Sequence, residues 1–233
     1  GIKGEDKWGN PSNKVDKTFY LEANISINGL PNKITINKGE FAIIVNDLTC
    51  SNIGTLEIDL LNKEKNRIAS SNPLRISQNI DLKPYWGDLH GQSEETIGTN
   101  SAQQFFEFAR DKAFLDVCCH QGNDFQITNE FWDHLNKLTK KFSKDNEFIT
   151  YPGYEWSGNT GMGGDRNVLF MDEGQQIHRS SHALIDDLSD HPTDAHTARE
   201  LFLKLRDKDC HIFAHIGGRY ADIKMAHDDK LER

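Results

Sequence analysis

The chain has 233 residues, with 36 Asp and Glu against 27 Lys and Arg and a formal charge of −9 at pH 7. That acid excess excludes a nucleic-acid backbone as the main partner, because phosphate binding needs a basic face. No apolar run reaches the length of a bilayer span, and the length suits one large domain or two smaller ones.

The first residues are Gly1-Ile2-Lys3-Gly4, with neither an initiator Met nor a signal-peptide pattern, so we read the chain as a segment of a longer protein. Cys50, Cys118, Cys119 and Cys210 include an adjacent pair inside an apolar run and no CxxC spacing. This suits buried thiols rather than a disulfide framework or a thiolate zinc cluster. Reduced thiols fit the cytoplasm, although this end of the chain does not fix the compartment.

Residues 18–77 read as short strands between turns. Tyr20 to Ile27 ends at Asn28-Gly29, Phe41 to Val45 ends at Asn46-Asp47, and Leu56, Ile58 and Leu60 alternate with Glu57 and Asp59. Residues 62–66 form a polar turn before Arg67-Ile68-Ala69, and Ser71-Asn72-Pro73 breaks the last hairpin. A small antiparallel, Ig-like β-sandwich over residues 1–83 is expected, with residues 81–84 as the hinge into a second domain, 84–233.

From Tyr85 onward the pattern becomes strand, helix, strand, helix. The first strand runs through Gly87-Asp88-Leu89-His90-Gly91-Gln92, where Asp88, His90 and Gln92 alternate onto one face. Ala102, Phe105, Phe106, Ala109 and Ala113 lie at helical spacing behind a cap at Thr99, Asn100 or Ser101. Phe114 to Cys119 is a buried strand ending in His120-Gln121-Gly122-Asn123-Asp124. A second helix from about Thr128 turns Phe131, Leu135, Leu138 and Phe142 inward. The strand from Phe148 to Pro152 leads into Gly153-Tyr154-Glu155-Trp156, a glycine-rich loop follows, and then Asn167 to Phe170. A third helix carries Ala198, Leu201, Phe202 and Leu205, and the last strand, Cys210 to Ala214, ends at His215. This alternation predicts a mainly parallel sheet or barrel.

Four apolar strands thus terminate in a metal-type ligand: His90, His120, Glu155 and His215. In a parallel barrel such ends converge on one rim. Imidazole plus carboxylate suits zinc, manganese or iron, and buried structural histidines are the competing reading. Arg166 and Arg219 stand beside strand ends and could hold an anionic group, or serve as ordinary ion-pair arginines. His178, His182, His191 and His196 lie in a polar segment and are expected to face solvent, with His178 or His182 able to fold over the rim. Glu94 and Glu95 are read as a solvated loop that could supply a ligand or base.

Gly87-Asp88-Leu89-His90, the His120 strand end, Glu155 and His215 resemble the PHP (polymerase and histidinol phosphatase) superfamily. More closely, residues 85–100, 120–128, 153–170 and 215–228, with Lys7-Trp8-Gly9-Asn10-Pro11 and Ser71-Asn72-Pro73, look like a DUF3604-like family of uncharacterised metal-dependent hydrolases. The resemblance implies a distorted (β/α)7 barrel holding two or three divalent metal ions and acting as a phosphoesterase on a small anionic ester with metal-activated water. His90, Gln92, His120, Asp124, Glu155 and His215 would be ligands. Glu155 would bridge two ions, Asp88 would ligate or orient His90, and Arg166 or Arg219 would neutralise the ester. Three departures stand out. Gln92 occupies the second imidazole position of His-x-His. The usual Thr-Asp-His is replaced by His120 to Asp124, so that ligand could be His120, Asn123 or Asp124. The closing Asp-x-His is absent and only about four of the seven βα units are present, so this would be a partial barrel completed by the remainder of a longer chain or by another chain, and the chain by itself would be a poor enzyme. Two alternatives compete with the phosphoesterase: an inactive binding or scaffold module, and a hydrolase of sulfate esters or glycans.

Overall fold

A computed structural model describes residues 1–158 and 164–215. They fall into two units, Gly1–Pro84 and Tyr85–Arg233.

The first unit contains β1 (Ile2–Lys3), β2 (Lys17–Ala23), β3 (Lys33–Ile36), β4 (Ala42–Ile43), β5 (Gly54–Leu56), β6 (Ile58–Leu61), β7 (Arg67–Ser70) and β8 (Leu74–Ile76). Every pairing is antiparallel: β3-β2-β6-β7 form one sheet, while β1–β4 and β5–β8 are separate pairs. The polar turn between β6 and β7 is closed by Asn62, whose Oδ1 accepts from Asn66 N at 2.8 Å, with Lys65 at φ 64°. The core is small, centred on Leu21, Ile34 and Ile36. The Ig-like sandwich expected here is therefore corrected to one four-stranded sheet with two small pairs. Apart from β2, the strands span only two to four residues, too few to build two full facing sheets.

The second unit runs β9 (Gly87–Gly91), α1 (Ala102–Asp111), β10 (Val117–His120), α2 (Asn129–Phe142), β11 (Ile149–Tyr151), β12 (Gly153–Trp156), β13 (Arg166–Phe170), α3 (Ala198–Leu205) and β14 (Cys210–Ala214). Ser101 caps α1 in a capping box with Gln104, Thr128 caps α2, and Thr197 caps α3. The helices bury the faces their periodicity predicts: Ala102, Phe106 and Ala109; Leu135, Leu138 and Phe142; Ala198, Leu201, Phe202 and Leu205. Fully burying a side chain of this kind stabilises by about 1.5–3 kcal/mol. Cys118, Cys119 and Cys210 are buried and not in disulfides, and no described helix is long and apolar enough to cross a membrane.

β11, β10 and β9 pair in parallel through the α1 and α2 crossovers, as the alternation implies. Past Pro152 the pattern changes: β12, β13 and β14 form an antiparallel sheet. The (β/α)7 barrel is overturned by this topology. Among the described residues there are three α-helices and two three-stranded sheets in this unit, and no barrel closes. The physical reason lies partly in spacing. Only residues 157–165 separate β12 from β13, whereas a parallel return needs a crossover of about a dozen residues or more.

Gly153 is where the two sheets meet. A Cβ there would lie 2.3 Å from Gln121 Nε2, 2.5 Å from Cys119 Sγ and 2.6 Å from the Val168 carbonyl, so only glycine fits. Beyond it, Glu155 N donates to Gly122 O at 2.9 Å, and Asn123 bridges Glu155 in parallel. This sets Glu155 beside the C-terminal ends of β9 and β10.

Candidate metal centre

Three of the four strand-end ligands converge. His90 on β9, Glu155 on β12 and His215, directly after β14, each offer a ligand atom, and these atoms lie within 4.8 Å of one another. The His90 and His215 rings stack with centroids 4.1 Å apart. Glu155 Oε1 is 3.3 Å from His215 Nδ1, and Oε2 is 3.8 Å from His90 Nε2. Glu155 is only 4 % exposed, so its charge depends on these neighbours.

Side chains around the cluster hold it in place. Gln92 Nε2 and Asn123 Nδ2 both donate to Glu155 Oε2, at 3.2 and 2.9 Å. Asn123 also donates to Ser157 Oγ at 3.1 Å. Across the β12–β13 ladder Glu155 faces Asn167, whose Oδ1 lies 2.6 Å from His90 Nδ1. With that amide oxygen as acceptor, Nδ1 carries the proton and Nε2 is left with its lone pair toward Glu155.

The other expected site residues are placed differently. Gln92 holds the Glu155 carboxylate. Asp88 accepts from His90 N at 2.9 Å, so it braces the backbone while Asn167 orients the ring. His120 lies in the interior, with Nε2 2.7 Å from Ser93 Oγ and Nδ1 accepting from Gly122 N at 3.2 Å. Asp124 is fully buried and accepts from the backbone of Phe125, Ser157 and Ser180. Arg166 is also enclosed, donating to the Asp165 carbonyl at 3.0 Å, with its guanidinium 5.6 Å from the Phe202 ring centre. Arg219 lies outside the described residues. Glu95 serves α1 by accepting from Ala102 N at 3.1 Å. His178 and His182, expected at the surface, are instead enclosed. The His178 residue is 9 % exposed and the His182 side chain 3 %, because both rings bond to the segment before α3. His191 and His196 are exposed, as expected.

Sequence reasoning did not single out Asn167. An amide next to Arg166, just ahead of the apolar Val168-Leu169-Phe170, was its one visible signal.

Burial pushes His120 down to about 4, with Glu95 opposing and His90 adding to the shift. The folded state therefore favours the neutral ring. Its contribution is complete above pH 6.5 and is lost as the pH falls from about 6.5 toward 4, where the unfolded chain takes up a proton that the folded one refuses. Urea unfolding in EDTA should show the parent losing about 3 kcal/mol more over that interval than His120→Gln. Equal pH slopes for the two proteins would contradict this assignment.

The geometry now has a family to sit beside. A family model described as "Protein of unknown function (DUF3604)" matches residues 63–212. The chain belongs to this family. The match includes His90, Asn123, Glu155 and Asn167, and His215 lies just past it. Uncharacterised proteins of Chlamydia pneumoniae and Chlamydia trachomatis serovar D are each 24% identical to this DUF3604 chain over 176 residues, 74% of the chain. That alignment spans 28% of each relative's length. No solved structure matches the chain.

Proposed function

We propose that this DUF3604 chain carries a divalent-metal hydrolase centre of the PHP kind, built on His90, Glu155 and His215 and acting on phosphoesters. The observation that supports it is the convergence of two imidazoles and one buried carboxylate from three separate strands. This donor set fits zinc, manganese or iron, and three protein ligands leave coordination positions open, as a catalytic site requires. A divalent ion bound there supplies Lewis-acid polarisation and makes water a nucleophile near neutral pH. The chain's own residues do the rest. His90 presents Nε2 because Asn167 holds its Nδ1–H, and Gln92 and Asn123 grip Glu155 Oε2 so that Oε1 keeps its place beside His215. A cleft of about 490 Å³, lined by Gln92, Asn100, Gln104, Glu107, Asp111 and Lys112 among others, adjoins the cluster only through Gln92.

The scaffold reading draws on one observation: His120 and Asp124 spend their polar atoms inside the chain, so three donors remain in the cluster among the described residues. Metal content and turnover separate the two. The His90→Ala/His215→Ala double variant should stay folded, lose its bound divalent metal and lose hydrolysis of an aryl phosphate. Parent metal content in the folded double variant would end the proposal. A metal-loaded chain inert toward phosphate and sulfate esters would favour the scaffold, and turnover of sulfate esters alone would change the substrate class.

A further inference from the structure

The second histidine cluster lies in residues 171–197, a long connection between β13 and α3. Its one regular element is the 3-10 turn His191–Thr193. Connections of this length within a compact unit need something to hold them. Arg179 supplies one anchor: Nε and Nη2 donate to the Ile127 carbonyl at 3.0 and 2.9 Å, Nη2 reaches Asn129 Oδ1 at 2.9 Å, and Nη1 pairs with Asp190.

The other anchor is centred on His182. Its Nδ1 is 2.8 Å from Asp194 Oδ2 and its Nε2 is 3.0 Å from Asp190 Oδ1. Carboxylates only accept, so this ring is satisfied either when both nitrogens carry protons or when a cation takes the place of one. The Asp194 side chain is fully enclosed, and its other oxygen, Oδ1, is buried with no hydrogen-bond partner among the described residues. A lone carboxylate oxygen shut away from water is costly unless something positive meets it. His191 stands at the open side, its ring 5.4 Å from that of His182.

We propose that His182, His191 and Asp194 form a second divalent-metal site that pins this connection, with zinc as the best-fitting ion. Their ligand atoms lie within 4.8 Å of one another, and an ion about 2.0–2.2 Å from each needs only a small closing of the side chains. Two imidazoles and one carboxylate suit zinc, and exposed His191 provides the entry path. Asp190 binds both His182 and Arg179 and so ties the site to the Ile127 backbone. This site shares no ligand with the His90 cluster.

Its test is a Zn²⁺ titration of the 233-residue chain followed by calorimetry and thermal midpoint, comparing parent, His191→Ala, His90→Ala and the double variant. His191 is exposed, so its loss spares the core. His191→Ala should bind one ion fewer than the parent. The ligand loss should weaken Zn²⁺ by more than the roughly 10–100-fold that removal of an outer partner costs. Zn²⁺ should still raise the midpoint of His90→Ala by several degrees, and should leave that of the double variant unmoved. The proposal is overturned if His191→Ala keeps the parent's stoichiometry and affinity, or if the parent binds no Zn²⁺. An unchanged His90→Ala count would count against the first site alone.

Discussion

Glu155→Gln should abolish tight binding of the proposed divalent ion at the His90 cluster while leaving the fold intact. Glu155 Oε2 is claimed by two amide donors, Asn123 at 2.9 Å and Gln92 at 3.2 Å. A glutamine at 155 would turn its carbonyl oxygen toward those donors, because its NH2 cannot accept from them. The NH2 would then face His215 from the position of Oε1, 3.3 Å from Nδ1 in the parent, and an amide nitrogen does not ligate a divalent ion. Affinity should fall at least about 100-fold, the upper end of what loss of a mere outer partner costs. Turnover, if the proposed hydrolase is correct, should fall with it. In EDTA the thermal midpoint should hold or rise, since a buried negative charge is removed and shape is kept. The competing expectation pairs Glu155 with Arg166 as a structural ion pair that holds the glycine-rich loop. That view predicts a lowered midpoint with full metal retention. Bound metal per chain and midpoint on the same variant decide between them.

Asp124→Asn should cost about 3 kcal/mol, or a midpoint drop of roughly 6–12 °C for a unit of this size. Burial pushes Asp124 up to about 7, against the Ser180, Phe125 and Ser157 hydrogen bonds that pull it down. At pH 8 the carboxylate is ionised. Its Oδ1 then accepts from Phe125 N at 2.7 Å, Ser180 Oγ at 3.1 Å and Ser157 N at 3.3 Å, and its Oδ2 accepts from Ser180 N. Asparagine keeps the shape but sets an NH2 against at least one buried backbone N–H. Each donor stranded in that way costs about 1–3 kcal/mol. The damage should spread in a defined direction. Ser180 belongs to the connection before α3, and Ser157 accepts from Asn123, which holds Glu155. Asp124 thus braces the His90 cluster and the connection at once. Hydrogen exchange in Asp124→Asn should rise around residues 178–182 before it rises in α2. Unchanged exchange there, with a midpoint within a degree of the parent, would remove Asp124 from this role.

Several features were legible from residue order because they depend on local physics. The inward faces of all three helices follow from apolar spacing, and their starts follow from Ser and Thr at cap positions. The alternating run Leu56 to Leu60 marked extended chain, although it divides between β5 and β6, which pair in different sheets, and the polar turn after it is equally local. Ile34 and Ile36 escaped notice because two apolar residues in a four-residue strand, Lys33–Ile36, make too short a pattern. His90, Glu155 and His215 could be named before any fold was known, since each ends or closely follows an apolar strand.

The tertiary structure decided which of those groups meet. Periodicity says that a stretch is a strand but carries no information on strand direction, so the switch from parallel β9–β11 to antiparallel β12–β14 was hidden, and a partial (β/α)7 barrel was wrongly expected. His120 has the same residue type and strand-end position as His90, yet the pairing of β10 turns it into the interior toward Ser93. The β12–β13 register, which sets Glu155 opposite Asn167, decided that Asn167 would orient His90. His182 and Asp194, twelve residues apart, meet only because the connection folds back on itself. Residue types and their periodicity are properties of the chain; ligand geometry depends on register and on long-range packing, which order along the chain does not contain.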